Sequence, residues 1–412
     1  MAEMSNKKKD LNVPPLRFPE FKGEWETIRA SDLLETFSTN SLTWDDLNYE
    51  GGAMKDVHYG LIHQRFDSAV MDSNSDLIPF IKPGKEPKKC TLVKEGDLIL
   101  ADASEDVAEC GEPVEFSGNA DYPMVSGLHT IHCRDKMGKT VAGFKSFLFG
   151  SLPVKQQIAR LCEGTKIYSI SNDTLCELWL SIPEKEEQAK IVSLLENLDE
   201  RIHVQRKTIE DYRNLLDWVI GRIFNWHGLM NGEPKAKLKQ LLVPSSKEGV
   251  ATSLYKKATI KLHLEGMTWF DGTRQMKDTR PFYVRHAGEI IIGKQNYFNG
   301  SVAIVPKEFD GCVCSNAIMS FSISPSINQT YLFFAVANKE FLQERSYWAN
   351  GTGQKELSER DFLNFEISIP PLKKQNQIGD VINKLQNKID TEIMILEKLE
   401  RGREFLLNSL FA

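Results

Sequence analysis

The chain has 412 residues, 51 Lys and Arg against 57 Asp and Glu, a formal net charge of -6, and 41% hydrophobic residues. That length predicts two to three domains rather than one core, and the composition is that of ordinary globular chains. No apolar run reaches the roughly 18 residues of a transmembrane helix, the lysine-bearing start (Lys7, Lys8, Lys9) lacks the apolar region of a secretory signal, and seven cysteines without framework spacing point to reduced thiols in a cytoplasm.

Residues 38–113 hold seven basic against fifteen acidic side chains, a local -8. Within them Val93-Lys-Glu-Gly-Asp-Leu-Ile-Leu-Ala-Asp102 reads as a turn feeding a buried strand. His129, His132 and Cys133 follow a Ser126-Gly127 turn and lack a second ligand pair at zinc spacing, so packing is the expected role. Gly138-Lys139-Thr140 has the ending of a phosphate loop, but the glycine required five positions earlier is Cys133. Leu178-Trp-Leu-Ser-Ile182 reads as a short strand, ended by Pro183, which also reads as a helix start. Behind it Ile191, Leu195, Leu198, Ile202, Gln205, Ile209, Tyr212, Leu216, Val219 and Ile223 step 4-3-4-3, the pattern of a coiled-coil seam.

Residues 225–300 reverse the charge, with twelve basic against six acidic side chains. Ala287-Gly-Glu-Ile-Ile-Ile-Gly-Lys294 matches the earlier buried strand, Asn299–Pro306 reads as another strand, and Tyr331–Trp348 has helical apolar spacing. Cys312-Val-Cys314 again has no second pair, and the Glu86-Pro-Lys88 and Glu233-Pro-Lys235 triplets, of a form found in some nuclease sites, are expected by chance. Phe365-Glu-Ile-Ser-Ile369 and Pro370 repeat the strand and its stop. The seam returns as Ile378, Ile382, Leu385, Ile389, Glu392, Leu396, Leu399, Arg403, Leu406 and Leu410. The first helix starts with Glu184, Glu186 and Glu187, which suit the positive end of a helix dipole, whereas the second starts with Lys373 and Lys374.

The two copies superimpose without a gap. Residues 164–224 lie on 351–411 at a constant shift of 187, with identities that include Ser171/Ser358, Ser181/Ser368, Pro183/Pro370, Gln188/Gln375 and Ile202/Ile389. A duplication of that span is a half-molecule, not a solenoid unit of roughly 20–50 residues. The expected fold is α+β: two mixed α/β domains, residues 1–180 and 225–367, joined by antiparallel coiled-coil helices, residues 181–224 and 368–412, with pseudo-twofold symmetry. Each helix of some 40 residues would measure about 60 Å.

The Leu16-Arg-Phe-Pro-Glu-Phe-Lys-Gly-Glu-Trp25 opening, the Gly96–Asp106 run, the Asn350-Gly-Thr-Gly-Gln-Lys355 stretch before Leu357-Ser358, and the doubled Ile-Pro…Gln…Ile helices together resemble the specificity subunit of type I restriction-modification systems. The resemblance covers nearly the whole chain. It implies a DNA-reading subunit without catalytic activity, whose two target recognition domains each read half of a split sequence. It also implies docking of two methyltransferase subunits on the spacer helices and addition of restriction subunits. S-adenosylmethionine, ATP and magnesium would then belong to the partners, with no cofactor on this chain. No Asp/Asn-Pro-Pro-aromatic stretch or glycine-rich cofactor loop marks it as a methyltransferase by itself.

Base-reading candidates are amides, cations and aromatics in loops. They are Tyr59, His63, Gln64 and Arg65, with Ser126 and His129, in the first domain. In the second they are Lys294, Gln295, Asn296, Tyr297 and Asn299, then Thr352, Gln354 and Lys355. Tyr59 and Tyr297 have core packing as the alternative. Lys256, Lys257 and Lys261 are phosphate contacts or a solvated face. Two other function classes stay open: a coiled-coil scaffold that binds only proteins, and a self-sufficient nuclease or modification enzyme.

Overall fold

A computed structural model of the chain describes residues 12–66, 68–224, 228–270, 280–345 and 356–412. The chain forms two compact units, one of Met1–Lys207 with Met394–Ala412 and one of Thr208–Ile393.

The first unit is built on a five-stranded sheet in the order Leu34–Phe37, Thr130–Asp135, Leu98–Ala101, Pro113–Ser117, Val70–Asp72. Leu98–Ala101 is buried on both faces, as a continuous apolar run demands. The turn before it is held by Asp97, which accepts from the Lys94 amide at 2.8 Å and is gripped by His132 Nε2 at 2.8 Å and Arg134 Nε at 2.7 Å. His132 is thus a buried structural residue. A second sheet of four short strands carries Met124–Ser126, Lys55–Val57, Phe80–Ile81 and Leu47–Asn48.

The second unit repeats four strands of the larger sheet in the same order: Leu242–Pro244, Ile318–Ile323, Ile290–Gly293, Val302–Ile304. Glu289 takes the place of Asp97 at the turn, accepting from the His286 amide at 3.0 Å and Ser320 Oγ at 2.9 Å. The predicted helix over Tyr331–Trp348 divides into Gln329–Ala337 and Lys339–Arg345. Asn338 causes the break: its Nδ2 closes the first helix onto the Phe334 carbonyl at 2.9 Å, and its Oδ1 caps the second through the Phe341 amide at 3.0 Å.

In each unit a strand preceding a long helix pairs with one from the start of the unit, Trp179–Ile182 with Glu26–Arg29 and Glu366–Ser368 with Lys235–Lys237. The long helices are Lys185–Phe224 and Leu372–Ser409. They begin two residues past Pro183 and Pro370, so these prolines end the strands and do not open the helices. None of the twenty predicted seam positions is exposed. In the first unit Asp199 meets Arg403 and Arg206 meets Glu400. In the second Ile220 packs with Ile382, and Lys388 lies over the Tyr212 ring. In both, rising numbers on one helix meet falling numbers on the other, which makes each pairing antiparallel. Glu392, a polar seam residue of the second helix, is buried and pairs with Lys388.

The repeat identities do the same work twice. Ser171 and Ser358 cap short helices, each accepting an amide three residues on at 3.1 Å. Gln188 and Gln375 are buried clamps whose Nε2 donates back to the Pro183 and Pro370 carbonyls, at 2.9 and 2.8 Å. Their Oε1 atoms accept from the amides of Val141 and Asn328, both at 2.9 Å. The charge difference at the helix starts also resolves into contacts. Glu187 is buried against Arg17, with two bonds of 2.8 Å, while Lys374 reaches Glu233 at 2.7 Å.

Candidate nucleic-acid interface

The short helix Tyr59–Gln64 starts at His58, whose Nδ1 accepts from the Gly60 amide at 3.2 Å. The Ser126–His129 turn packs against that helix start, with the Tyr59 amide on the Leu128 carbonyl and the Gly127 amide on the Val57 carbonyl at 2.9 Å. Residues far apart in sequence thereby form one surface. The Tyr59 ring stands edge-on to His129 at 5.3 Å, His58 lies 4.6 Å from Trp44, and Arg65 lies over both Trp44 and Tyr49. His129 adopts φ 55, a left-handed conformation uncommon outside glycine, and its Nδ1 is 3.3 Å from Asp102 Oδ1.

Two of the first-unit candidates point inward. Ser126 is buried with its hydroxyl 2.7 Å from that of Thr130, so it props the turn from within and is not on the exposed surface. His63 is mostly buried, its Nε2 3.1 Å from the Ala103 carbonyl. Gln64, Arg65 and His129 are exposed, and Tyr59 is half-buried.

Burial sets the charge state of this surface. His58 is pushed down to about 4, by desolvation first and by His129 second, so it is neutral at pH 7. Asp102 is raised by desolvation, with His129 opposing. Beneath the turn, burial pushes Asp56 up to about 7 against the opposing hydrogen bond from Asn40.

In the second unit the hairpin Ala258–Ile260 with Met267–Trp269 presents the lysines. Lys256 lies 5.5 Å over the Trp269 ring, which stacks on Phe309 at 4.3 Å, and Lys256 and Lys261 are exposed. The hairpin tip docks on the other predicted loop, with the His263 amide on the Asn299 carbonyl at 2.8 Å and the Leu264 amide on that of Gly300 at 3.0 Å. Gly300 has φ 77, and a Cβ there would lie 3.0–3.1 Å from that backbone, so only glycine allows the approach. Gln295, Asn296 and Asn299 are exposed and Lys294 half-buried beside the tip. Tyr297 is not part of this surface: it is fully buried and donates to the Val336 carbonyl at 2.6 Å. Thr352, Gln354 and Lys355 lie outside the described residues.

Sequence reasoning missed Trp44, Tyr49, His58, Asp102 and Trp269. Trp44 and Tyr49, 41% and 48% exposed, sit in an acidic stretch where nothing in the sequence distinguishes an outward ring from a core one. Among the described residues no group of three or more His, Cys, Asp or Glu could hold a metal ion. No described helix is long and apolar enough to cross a membrane.

One repeated frame thus bears two unlike polar and aromatic surfaces. A family model for the type I restriction modification DNA specificity domain matches residues 22–211 and 250–401, and the chain belongs to that family. Two curated proteins of Methanocaldococcus jannaschii are similar to it. The type I restriction enzyme MjaVIII specificity subunit is 28% identical over 127 residues, 31% of this chain and 26% of that protein. The putative type I restriction enzyme MjaX specificity subunit is 19% identical over 428 residues, 98% of this chain and 96% of that protein. The chain thus matches about a quarter of the first relative's length and nearly all of the second's. The crystal structure of a type I restriction-modification S subunit from M. genitalium shares the fold, with a TM-score of 0.57 at 16% identity over 97% of this chain and 99% of that one.

Proposed function

We propose that this chain is the non-catalytic specificity subunit of a type I restriction-modification complex and reads a split DNA sequence, one half with each unit. Residues 1–180 and 225–367 are the two target recognition domains, and residues 181–224 and 368–412 are the spacers between them. The observation that carries this reading is the division of labour within the duplication. The repeated residues Ser171/Ser358 and Gln188/Gln375 hold the frame. The exposed polar and aromatic clusters fall where the two copies differ, which is what two different half-sites require.

The long helices also serve as the dock for two methyltransferase subunits, which restriction subunits then join. Trp218 on the first helix and Phe405 on the second, each 63% exposed, support that role. Aromatics are enriched among the residues that anchor protein interfaces. S-adenosylmethionine, ATP and magnesium belong to those partners, and the complex works on DNA in the cytoplasm. The lysines of the second unit take phosphates and its amides take adenine edges, for which Asn and Gln have the matching donor and acceptor.

Methylome sequencing of a host expressing the chain with and without its neighbouring methyltransferase subunit tests the proposal. A new two-part methylated motif with a fixed unread gap is the expected result. A soluble complex of the two proteins that adds no motif would overturn it in favour of a protein-only scaffold.

A further inference from the structure

Arg65 is the exposed residue that closes the Tyr59–Gln64 helix, and its guanidinium is held on two sides. Its central carbon lies 5.8 Å from the Trp44 ring centre and 5.4 Å from that of Tyr49. Nη1 donates to the Tyr49 hydroxyl at 2.7 Å, and that hydroxyl donates onward to the Leu77 carbonyl at 3.3 Å, which leaves its lone pairs for the arginine. Trp44 is fixed in turn by the His58 ring at 4.6 Å and by Gly60, where a Cβ would sit 3.2 Å from the indole. Although this stretch is rich in Asp and Glu, Arg65 pairs with no carboxylate among the described residues.

Phosphate can be neutralised by a mobile point charge such as Lys, and it also accepts the Arg fork bidentately, so an arginine by itself does not tell a base contact from a phosphate contact. The Arg65 guanidinium lies near two aromatic rings with one donor committed to the Tyr49 hydroxyl, so its direction is restricted before any ligand arrives. A restricted fork suits a base edge, where direction decides which base is accepted, whereas a phosphate can be met from many directions. Guanine offers two acceptors, N7 and O6, side by side in the major groove, whereas adenine places a donor beside its N7.

We propose that Arg65, positioned by Trp44 and Tyr49, reads a guanine in the half-site bound by the first unit. This rests on the DNA-reading role proposed above and adds the base and the residue that selects it. Guanine recognition would come from a preformed arginine in the acidic unit, so base selection and overall phosphate affinity would reside in different units.

The test compares the full chain with its Arg65→Lys and Arg65→Ala variants, each with the neighbouring methyltransferase subunit, by methylome sequencing and by selection from randomised duplexes. Both variants should admit other base pairs at one G·C position of one half of the motif. Discrimination there should fall roughly 10- to 100-fold, as expected for a lost bidentate contact, with the other half unchanged. Three results would overturn the proposal: a relaxed position that is A·T, Arg65→Lys behaving as the parent chain, or equal weakening on all sequences with a shallower salt dependence, the mark of a phosphate contact. A parent chain that yields no motif would refute the DNA-reading role itself, and this inference with it, before any variant is compared.

Discussion

Gln188→Ala removes a side chain that is fully buried and makes three hydrogen bonds of 2.9 Å, donating to the Pro183 and Lys139 carbonyls and accepting from the Val141 amide. The three backbone groups are left where water reaches them poorly. A buried group without a partner costs about 1–3 kcal/mol, and partial relaxation of the loop brings the total to roughly 3–5 kcal/mol. Gln375→Ala breaks two bonds, to the Pro370 carbonyl at 2.8 Å and from the Asn328 amide at 2.9 Å, and should cost about two-thirds as much. Urea unfolding measures the totals, and native-state hydrogen exchange assigns them, since it reports opening locally. The Val141 amide should lose protection only in Gln188→Ala, and the Asn328 amide only in Gln375→Ala. A loss below about 0.5 kcal/mol in both variants, or an unchanged Val141 amide in the first, would refute the idea that the shared glutamines clamp the frame.

Asp56 gives a pH signature. Its carboxyl is raised to about 7 in the folded chain, and one oxygen has no partner, whereas the unfolded chain ionises it near pH 4. The folded state therefore holds the extra proton between these values, so stability falls as pH rises across that window and stays low above it. Asp56→Asn should stabilise the protein at about pH 8 and change little at about pH 4; equal shifts of the urea midpoint at both would contradict the assignment. Lys145 and Glu115 form a buried ion pair at 2.8 Å. Lys145→Met should cost about 3–5 kcal/mol by leaving the carboxylate alone, and Glu115→Leu added to it should recover most of the loss. A double variant no more stable than the single one would show that the pair is not the cause. Replacing Lys256, Lys257 and Lys261 together by alanine should lower the slope of log affinity against log salt by roughly 0.9 for each lysine on a phosphate. A DNA-binding titration with an unchanged slope would place all three on a solvated face.

The frame was legible because its signals are local and doubled. Heptad spacing survives in Ile191–Ile223 and Ile378–Leu410 even where Gln205 and Glu392 interrupt it, and the 187-residue shift aligns both with their preceding strands. The recognition surface was legible only in part. Arg65 and His129 were named by residue type and are exposed, yet the partners that orient Arg65 come from 16 residues away in Tyr49 and from Trp44. For Tyr297 the core alternative holds, although it lies among Lys294, Gln295, Asn296 and Asn299. A three-residue helical turn aims its ring into the core while its neighbours face water. Ser126 was misread, since a serine beside a glycine marks a turn without telling which way its hydroxyl points.

Sequence alone determined that this protein is two copies of one frame, with two long helices whose apolar seams need partners and with opposite charge in the two intervening stretches. Periodicity, proline stops and a constant repeat shift are properties of neighbouring residues, and they are readable without coordinates. Tertiary structure decided which side chains share a surface and which of them face outward. The Trp44, Tyr49, His58, Arg65, Asp102 and His129 cluster is assembled by strand pairing and turn docking between segments up to 85 residues apart (129 − 44 = 85). No local pattern encodes that meeting, because each segment satisfies its own backbone whether or not the others arrive.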